Sequence, residues 1–150
     1  MKVSVIIPIY NAERFLRDTL NDVVSQTLED IEIICVDDGS TDSSEEIIRS
    51  FMERDSRISL LQQQNLYCGV ARNNGYAHAS GEYICFWDAD DRFAPESLEC
   101  MYEQARKTDA DICVCGVEDF DSETGICMPR IAYLNVKSAG SKQPFNKYDI

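Results

Sequence analysis

Basic residues are scarce in this chain of 150 residues: 14 Lys and Arg stand against 27 Asp and Glu, a formal net charge of −13, and the pI is near 4.3. Such a balance cannot neutralise a row of phosphates, so nucleic acid is excluded as a partner, and an anionic ligand would need a metal or a local arginine. No apolar run approaches the roughly 20 residues that a membrane-spanning helix requires. The first apolar segment begins at residue 3, so a secretory leader is not expected. The expected setting is the cytoplasm, either free or peripheral at the inner face of the membrane. Histidine is reduced to His78, flanked by alanines and expected to be a surface or groove residue rather than a catalyst. Cys35, Cys85, Cys113 and Cys115 lie in apolar runs, where Cys behaves as a small hydrophobe, so reduced thiols are expected. Without a second Cys or His pair at ligand spacing, a zinc clip at Cys113-Val-Cys115 is not expected.

What the chain does have is an apolar run, Phe86-Trp87, that ends in three carboxylates, Asp88, Asp90 and Asp91. Buried unpaired carboxylates cost several kcal/mol, so a strand delivering them to its end places charge where a cation or substrate can meet it. Two other segments share that layout: Val3 to Asn11, and Ile31 to Asp42.

Between these runs the periodicity alternates. Strands are expected over residues 3–9, 31–36, 58–62, 82–87 and 111–117. Phe15, Leu16, Leu20, Val23 and Val24 recur at helical spacing, with Asn11 as the expected cap. Ser43 and Glu46 match a capping box before Ile47, Ile48, Phe51 and Met52. A helix is expected from Gly69 to Ser80, closed by Gly81, with Ala71, Gly75 and Ala79 forming a small-residue face for close approach to a sheet. Leu98, Met101, Tyr102 and Ala105 give a fourth apolar stripe. Beyond residue 118, Asp121 to Gly125 reads as a turn, 126–136 as one or two strands and 140–147 as a loop. Strands separated by helices imply right-handed parallel crossovers, hence an α/β, doubly wound, mostly parallel sheet. With strand order 3-2-1-4, the winding reverses between strands 1 and 4, and Pro8 to Asn11 come beside Asp88 to Asp91 in one crevice.

Asp88-Ala89-Asp90-Asp91 suits a hard divalent cation. Mg²⁺ prefers one or two carboxylates, several waters and substrate phosphate oxygens, so the metal is expected to bind with its ligand. Asp37 and Asp38 could accept from a base N–H or from ribose hydroxyls, while Gly39 makes a turn and Thr41 or Asp42 caps the next helix. Gly69 to Asn73 opens a helix whose amides can attract an anion, and Arg72 is the nearest cation for a diphosphate.

Four ordered motifs carry a resemblance: Ser4-Val-Ile-Ile-Pro-Ile-Tyr-Asn11, Val36-Asp-Asp-Gly-Ser-Thr-Asp42, Ala71-Arg-Asn-Asn-Gly75 and Gly81-Glu-Tyr-Ile-Cys-Phe-Trp-Asp-Ala-Asp-Asp91. Over residues 3 to about 120 the chain resembles the family 2 glycosyltransferases of the GT-A, Rossmann-like nucleotide-diphospho-sugar transferase fold. The resemblance implies that Pro8, Ile9, Tyr10 and Asn11 line the nucleotide pocket, that Asp37 and Asp38 contact ribose and base, and that Gly69, Arg72 and Asn73 lie near the donor. It further implies that Asp88, Ala89 and Asp90 form an Asp-X-Asp motif holding Mg²⁺ or Mn²⁺ through Asp88 and Asp90. The implied reaction is sugar transfer, with inversion, from a UDP-sugar to an acceptor hydroxyl on a carbohydrate or a lipid-linked acceptor, in cell-surface polysaccharide or glycolipid synthesis. Residues 1–118 are then the nucleotide-sugar-binding half of one domain, and 119–150 the start of an acceptor-side region. The general base is expected beyond Ile150, because Glu118-Asp119 comes too early. The alternative is a non-catalytic nucleotide- or sugar-binding module of the same fold. A phosphoreceiver fails because Gln62-Gln-Gln follows strand three and Glu118 follows strand five. A dehydrogenase fails because Pro-Ile-Tyr-Asn stands where Gly-X-Gly-X-X-Gly should.

Overall fold

Two seven-residue strands, β1 (Val3–Ile9) and β2 (Ile31–Asp37), are buried at nearly every position, as expected of central parallel strands covered on both faces. The computed structural model describes residues 1–116, 118–121 and 123–128. Around this pair the chain adds α1 (Leu16–Val24), α2 (Ser44–Met52), β3 (Ile58–Gln62), α3 (Tyr67–His78), β4 (Tyr83–Phe86) and α4 (Ser97–Thr108). The sheet runs β3-β2-β1-β4, with every pairing parallel. This is the order assumed above, and it puts the reversal of winding between β1 and β4.

The two faces follow from strand parity. Val3, Val5, Ile7 and Ile9 pack with Leu16, Leu20 and Val23 of α1, with Ile47, Ile48 and Phe51 of α2, and with Leu98 of α4. On the other face Ile6, Ile34 and Val36 meet Ala71 of α3. α3 lies close: a Cβ at Gly75 would sit 2.4 Å from Ile6 Cγ2, so the small-residue face is a steric requirement.

Several local expectations fail for identifiable reasons. Asn11 does not cap α1; it has φ 49, and its side-chain oxygen accepts from the Thr41 amide at 2.8 Å. The capping box does not form, because the Ser43 amide donates to Glu13 Oε2 and Asp42 Oδ1 takes the Ser44 amide instead. α3 begins at Tyr67 and ends at His78, two residues before each expected limit. Gly81 serves close packing rather than a helix cap, since a Cβ there would lie 2.5 Å from the Ser4 nitrogen. The expected fifth strand is absent over residues 111–116. Ile112 and Val114 are 78% and 83% exposed, and this segment is tied at its start by a side chain, Tyr83 Oη donating to the Ala110 carbonyl, in place of a backbone ladder.

The chain divides into two compact units, the first ending at Val114. In the second, the short strands β5 (Asp119–Phe120) and β6 (Cys127–Met128) pair antiparallel. Their connection holds the expected turn, with Gly125 at φ 68 and Asp121 Oδ1 accepting from the Glu123 and Thr124 amides. The expectations for 129–136 and 140–147 lie outside the described residues.

Candidate functional site

β1 and β4 stop pairing where the chemistry begins. The carbonyls of Lys2 and Ile6 accept from the amides of Tyr83 and Trp87, so even-numbered residues of β1 face β4. Pro8 is next on that edge and has no N–H to offer. The strands part there, and a cleft of about 410 Å³ opens between their ends.

One wall is built from two loops laced together by side chains. The amide of Asn11 donates to Ser40 Oγ, that of Ala12 to Ser44 Oγ and that of Glu13 to Asp42 Oδ2, each at 3.0 Å. Burial works against the charge of Asp42, but hydrogen bonds from Ser44 and from the Glu13 amide hold its carboxyl below the usual range. The acid-rich loop is anchored from α1, where the buried Thr19 hydroxyl donates to the carbonyls of Ala89 at 2.8 Å and Asp91 at 3.2 Å.

Of the residues named from sequence, Pro8, Ile9, Tyr10, Asn11, Asp38, Arg72, Asp88, Ala89 and Asp90 line this cleft, joined by Ala12, Phe15 and Cys68. Three do not. Asp37, the last residue of β2, is buried and turned away, its Oδ1 accepting from the Ser40 amide at 3.0 Å. Gly69 lies within the first turns of α3, exposed, with open space around it. Asn73 is exposed on α3, a helical step of about 100° from Arg72, whereas Cys68 and Arg72, four apart, share the cleft-facing side.

Charge in the cleft is arranged around Arg72. Its Nη2 donates to Asp88 Oδ1 at 2.5 Å, and this hydrogen bond to Asp88 raises the guanidinium above its ordinary pKa. Arg72 Nε is buried without a partner. Asp90 lines the cleft and, among the described residues, has no hydrogen-bonding or charged partner. Asp38 Oδ1 is held by Gln63 Nε2 at 2.7 Å and by the Leu66 amide at 2.9 Å. No group of three or more His, Cys, Asp or Glu side chains gathers as a metal cage among the described residues. A two-carboxylate set of hard oxygens, one of them unpartnered, fits a cation whose remaining ligands are waters and ligand oxygens. Thr19, Gln63 and Ser44 escaped the sequence reading because each acts on a residue distant in the chain.

Glycosyl transferase family 2 matches residues 4–149. The chain is 40% identical over 125 residues to "Glycosyltransferase GlyA" of Streptococcus pneumoniae, covering 83% of this chain and 18% of that protein. Among solved structures, S. aureus TarS 1-349 in complex with UDP-GlcNAc is similar at TM-score 0.68 and 31% identity, covering 71% of this chain and 32% of that one. The mannosyltransferase PcManGT of Pyrobaculum calidifontis, in complex with GDP-Man and Mn²⁺, has TM-score 0.62 and 27% identity over 65% of this chain and 30% of its own. The chain therefore spans well under half the length of these relatives.

Proposed function

The chain belongs to glycosyl transferase family 2, and from that premise we propose that its cleft binds the nucleotide part of a nucleotide-sugar, with UDP-sugar as the donor. The observation that carries the reading is the convergence of Pro8 to Asn11, Asp38, Arg72 and Asp88 to Asp90 on one cleft. Tyr10 and Phe15 supply wall for a base and ribose, Asp38 an acceptor for a base N–H, and Arg72 a cation for the diphosphate. Asp88 and Asp90 would hold Mg²⁺ or Mn²⁺, which when bound offsets the charge of the departing nucleoside diphosphate. The carboxylates keep that end of the cleft reserved for a cation-carrying ligand, since a bare diphosphate would be repelled by them.

The full reaction in this reading is transfer with inversion to an acceptor hydroxyl of a carbohydrate or lipid-linked acceptor, in cell-surface polysaccharide or glycolipid synthesis. The acceptor side and its base are assigned to sequence beyond this chain. No helix among the described residues is long and apolar enough to cross a membrane; a cytoplasmic protein, free or peripheral at the membrane, accords with this reading. Calorimetric titration of UDP in Mn²⁺ and again in EDTA tests the donor site: metal-dependent binding supports it, and absence of binding in both overturns it. Release of free sugar from a UDP-sugar on incubation then separates an enzyme from a non-catalytic binding module of the same fold.

A further inference from the structure

The carboxylate at the inner end of the cleft does not present both its oxygens. Asp38 Oδ1 already accepts two hydrogen bonds, from Gln63 Nε2 at 2.7 Å and from the Leu66 amide at 2.9 Å. Gln63 is itself fixed: its amide nitrogen donates to the Asp37 carbonyl at 3.0 Å, and its side-chain Oε1 accepts from Asn74 Nδ2 at 2.8 Å. The order of donors is forced, because a carboxylate only accepts. Gln63 must turn its NH₂ to Asp38, which turns its oxygen to Asn74. Three elements thus set one side chain: the end of β2, the residue after β3, and α3.

Asp38 Oδ2 carries no hydrogen bond among the described residues. It is not sealed, since the buried, unpartnered side-chain atoms there are only Arg72 Nε and Trp87 Nε1, and Asp38 lines the cleft. A carboxylate with two free oxygens matches adjacent donors, such as N1–H and N2–H₂ of guanine. One with a single free oxygen matches a lone N–H between carbonyls, the imide of uracil or thymine.

We propose that Gln63 and Asn74 are positioning residues that commit one oxygen of Asp38 and so make the cleft select an imide base over guanine. The proposal rests on the donor-site reading above and adds to it the residues that set base choice.

The test is calorimetric titration of the chain with UDP, GDP and inorganic pyrophosphate, all in Mg²⁺, in the native protein and in the Gln63→Met and Asn74→Ala variants, with thermal melts alongside. The native chain should bind UDP at least about tenfold more tightly than GDP, the scale of one unmatched hydrogen bond to a charged group. Gln63→Met should erase most of that ratio and Asn74→Ala a smaller part, with pyrophosphate affinity unchanged in both. Asn74→Ala carries the test should Gln63→Met fail to fold. Native preference for GDP, or equal affinity for the two, overturns the single-acceptor assignment. An unchanged ratio in the folded variants, or a parallel loss of pyrophosphate binding, overturns the positioning role. A native chain that binds none of the three ligands strikes instead at the donor-site reading and takes the proposal with it.

Discussion

Arg72 and Asp88 face each other across the cleft at 2.5 Å, so the cation best placed for a diphosphate is engaged by a carboxylate best placed for a metal. With side chains 33% and 50% exposed, the pair is screened, and its worth lies in coupling rather than in stability. In the donor-site reading proposed above, a metal at Asp88 would free Arg72 and a phosphate on Arg72 would free Asp88, so each ligand would favour the other.

Removing the arginine should therefore split two affinities that normally move together. In Arg72→Gln, Mn²⁺ alone should bind more tightly than to the native chain, while UDP in Mn²⁺ binds about tenfold or more weakly, as for a lost charge-assisted hydrogen bond. Electron paramagnetic resonance of free Mn²⁺ checks the first and calorimetry the second. Asp90→Ala should abolish the metal dependence of UDP binding without lowering the melting temperature, because Asp90 is exposed and supports no other residue; a retained Mn²⁺ effect would remove it from the metal set.

The close contact of α3 with the sheet predicts opposite substitutions with the same sign. Ile6→Ala should cost about 2–5 kcal/mol as a core truncation. Gly75→Ala gains helix propensity worth about 1 kcal/mol, but its new methyl meets Ile6 at 2.4 Å and Val36 at 3.2 Å, and overpacking of about 1–3 kcal/mol should win. Urea denaturation measures both, and a stabilised Gly75→Ala would mean that α3 can move off the sheet.

Acid should loosen the laced loops through Asp42. Its folded pKa lies below the ordinary 3.8, so its hydrogen bonds stabilise the fold fully above that value, and this contribution is lost as pH falls through the folded pKa. Asp42→Asn should be less stable than the native chain near neutrality and show a shallower decline below about pH 4. Parallel acid limbs in urea midpoints measured from pH 3 to 7 would count against Asp42 as the lace.

Thiol reactivity should report the cleft directly. Burial pushes Cys35 up to about 12, and it should resist iodoacetamide, whereas exposed Cys68 and Cys100 should react. UDP with Mn²⁺ should slow labelling of Cys68, which lines the cleft beside Arg72, and leave Cys100 unaffected. Site-resolved mass spectrometry reads the difference, and equal slowing at both would argue against occupancy of this cleft.

Much of the fold was legible because burial writes itself into periodicity. The nearly continuous apolar runs of β1 and β2 and the Ala71, Gly75, Ala79 stripe mark central strands and a close-packed helix, while the sheet order itself was an assumption that the structure bears out. The cleft was legible where a strand end delivers a polar group, as at Asp38 and Asp88. It was illegible where the outcome hung on which way one side chain of a pair turns, as for Asp37 against Asp38, or on which distant loops meet, as for Thr19, Gln63 and Asn74. The strand expected at 111–117 shows the converse limit: apolar residues record a tendency to pair, and pairing also needs a partner edge in register.

The missing N–H of Pro8 has a bearing on how such a chain can diversify. Since the ladder between β1 and β4 stops at that ring, sequence change at positions 10–12, 88 and 90 leaves the register of the sheet untouched, and new ligand preferences can arise there while the scaffold stays as it is. The proline works as a firewall between the part of the chain that must be kept and the part that is free to vary.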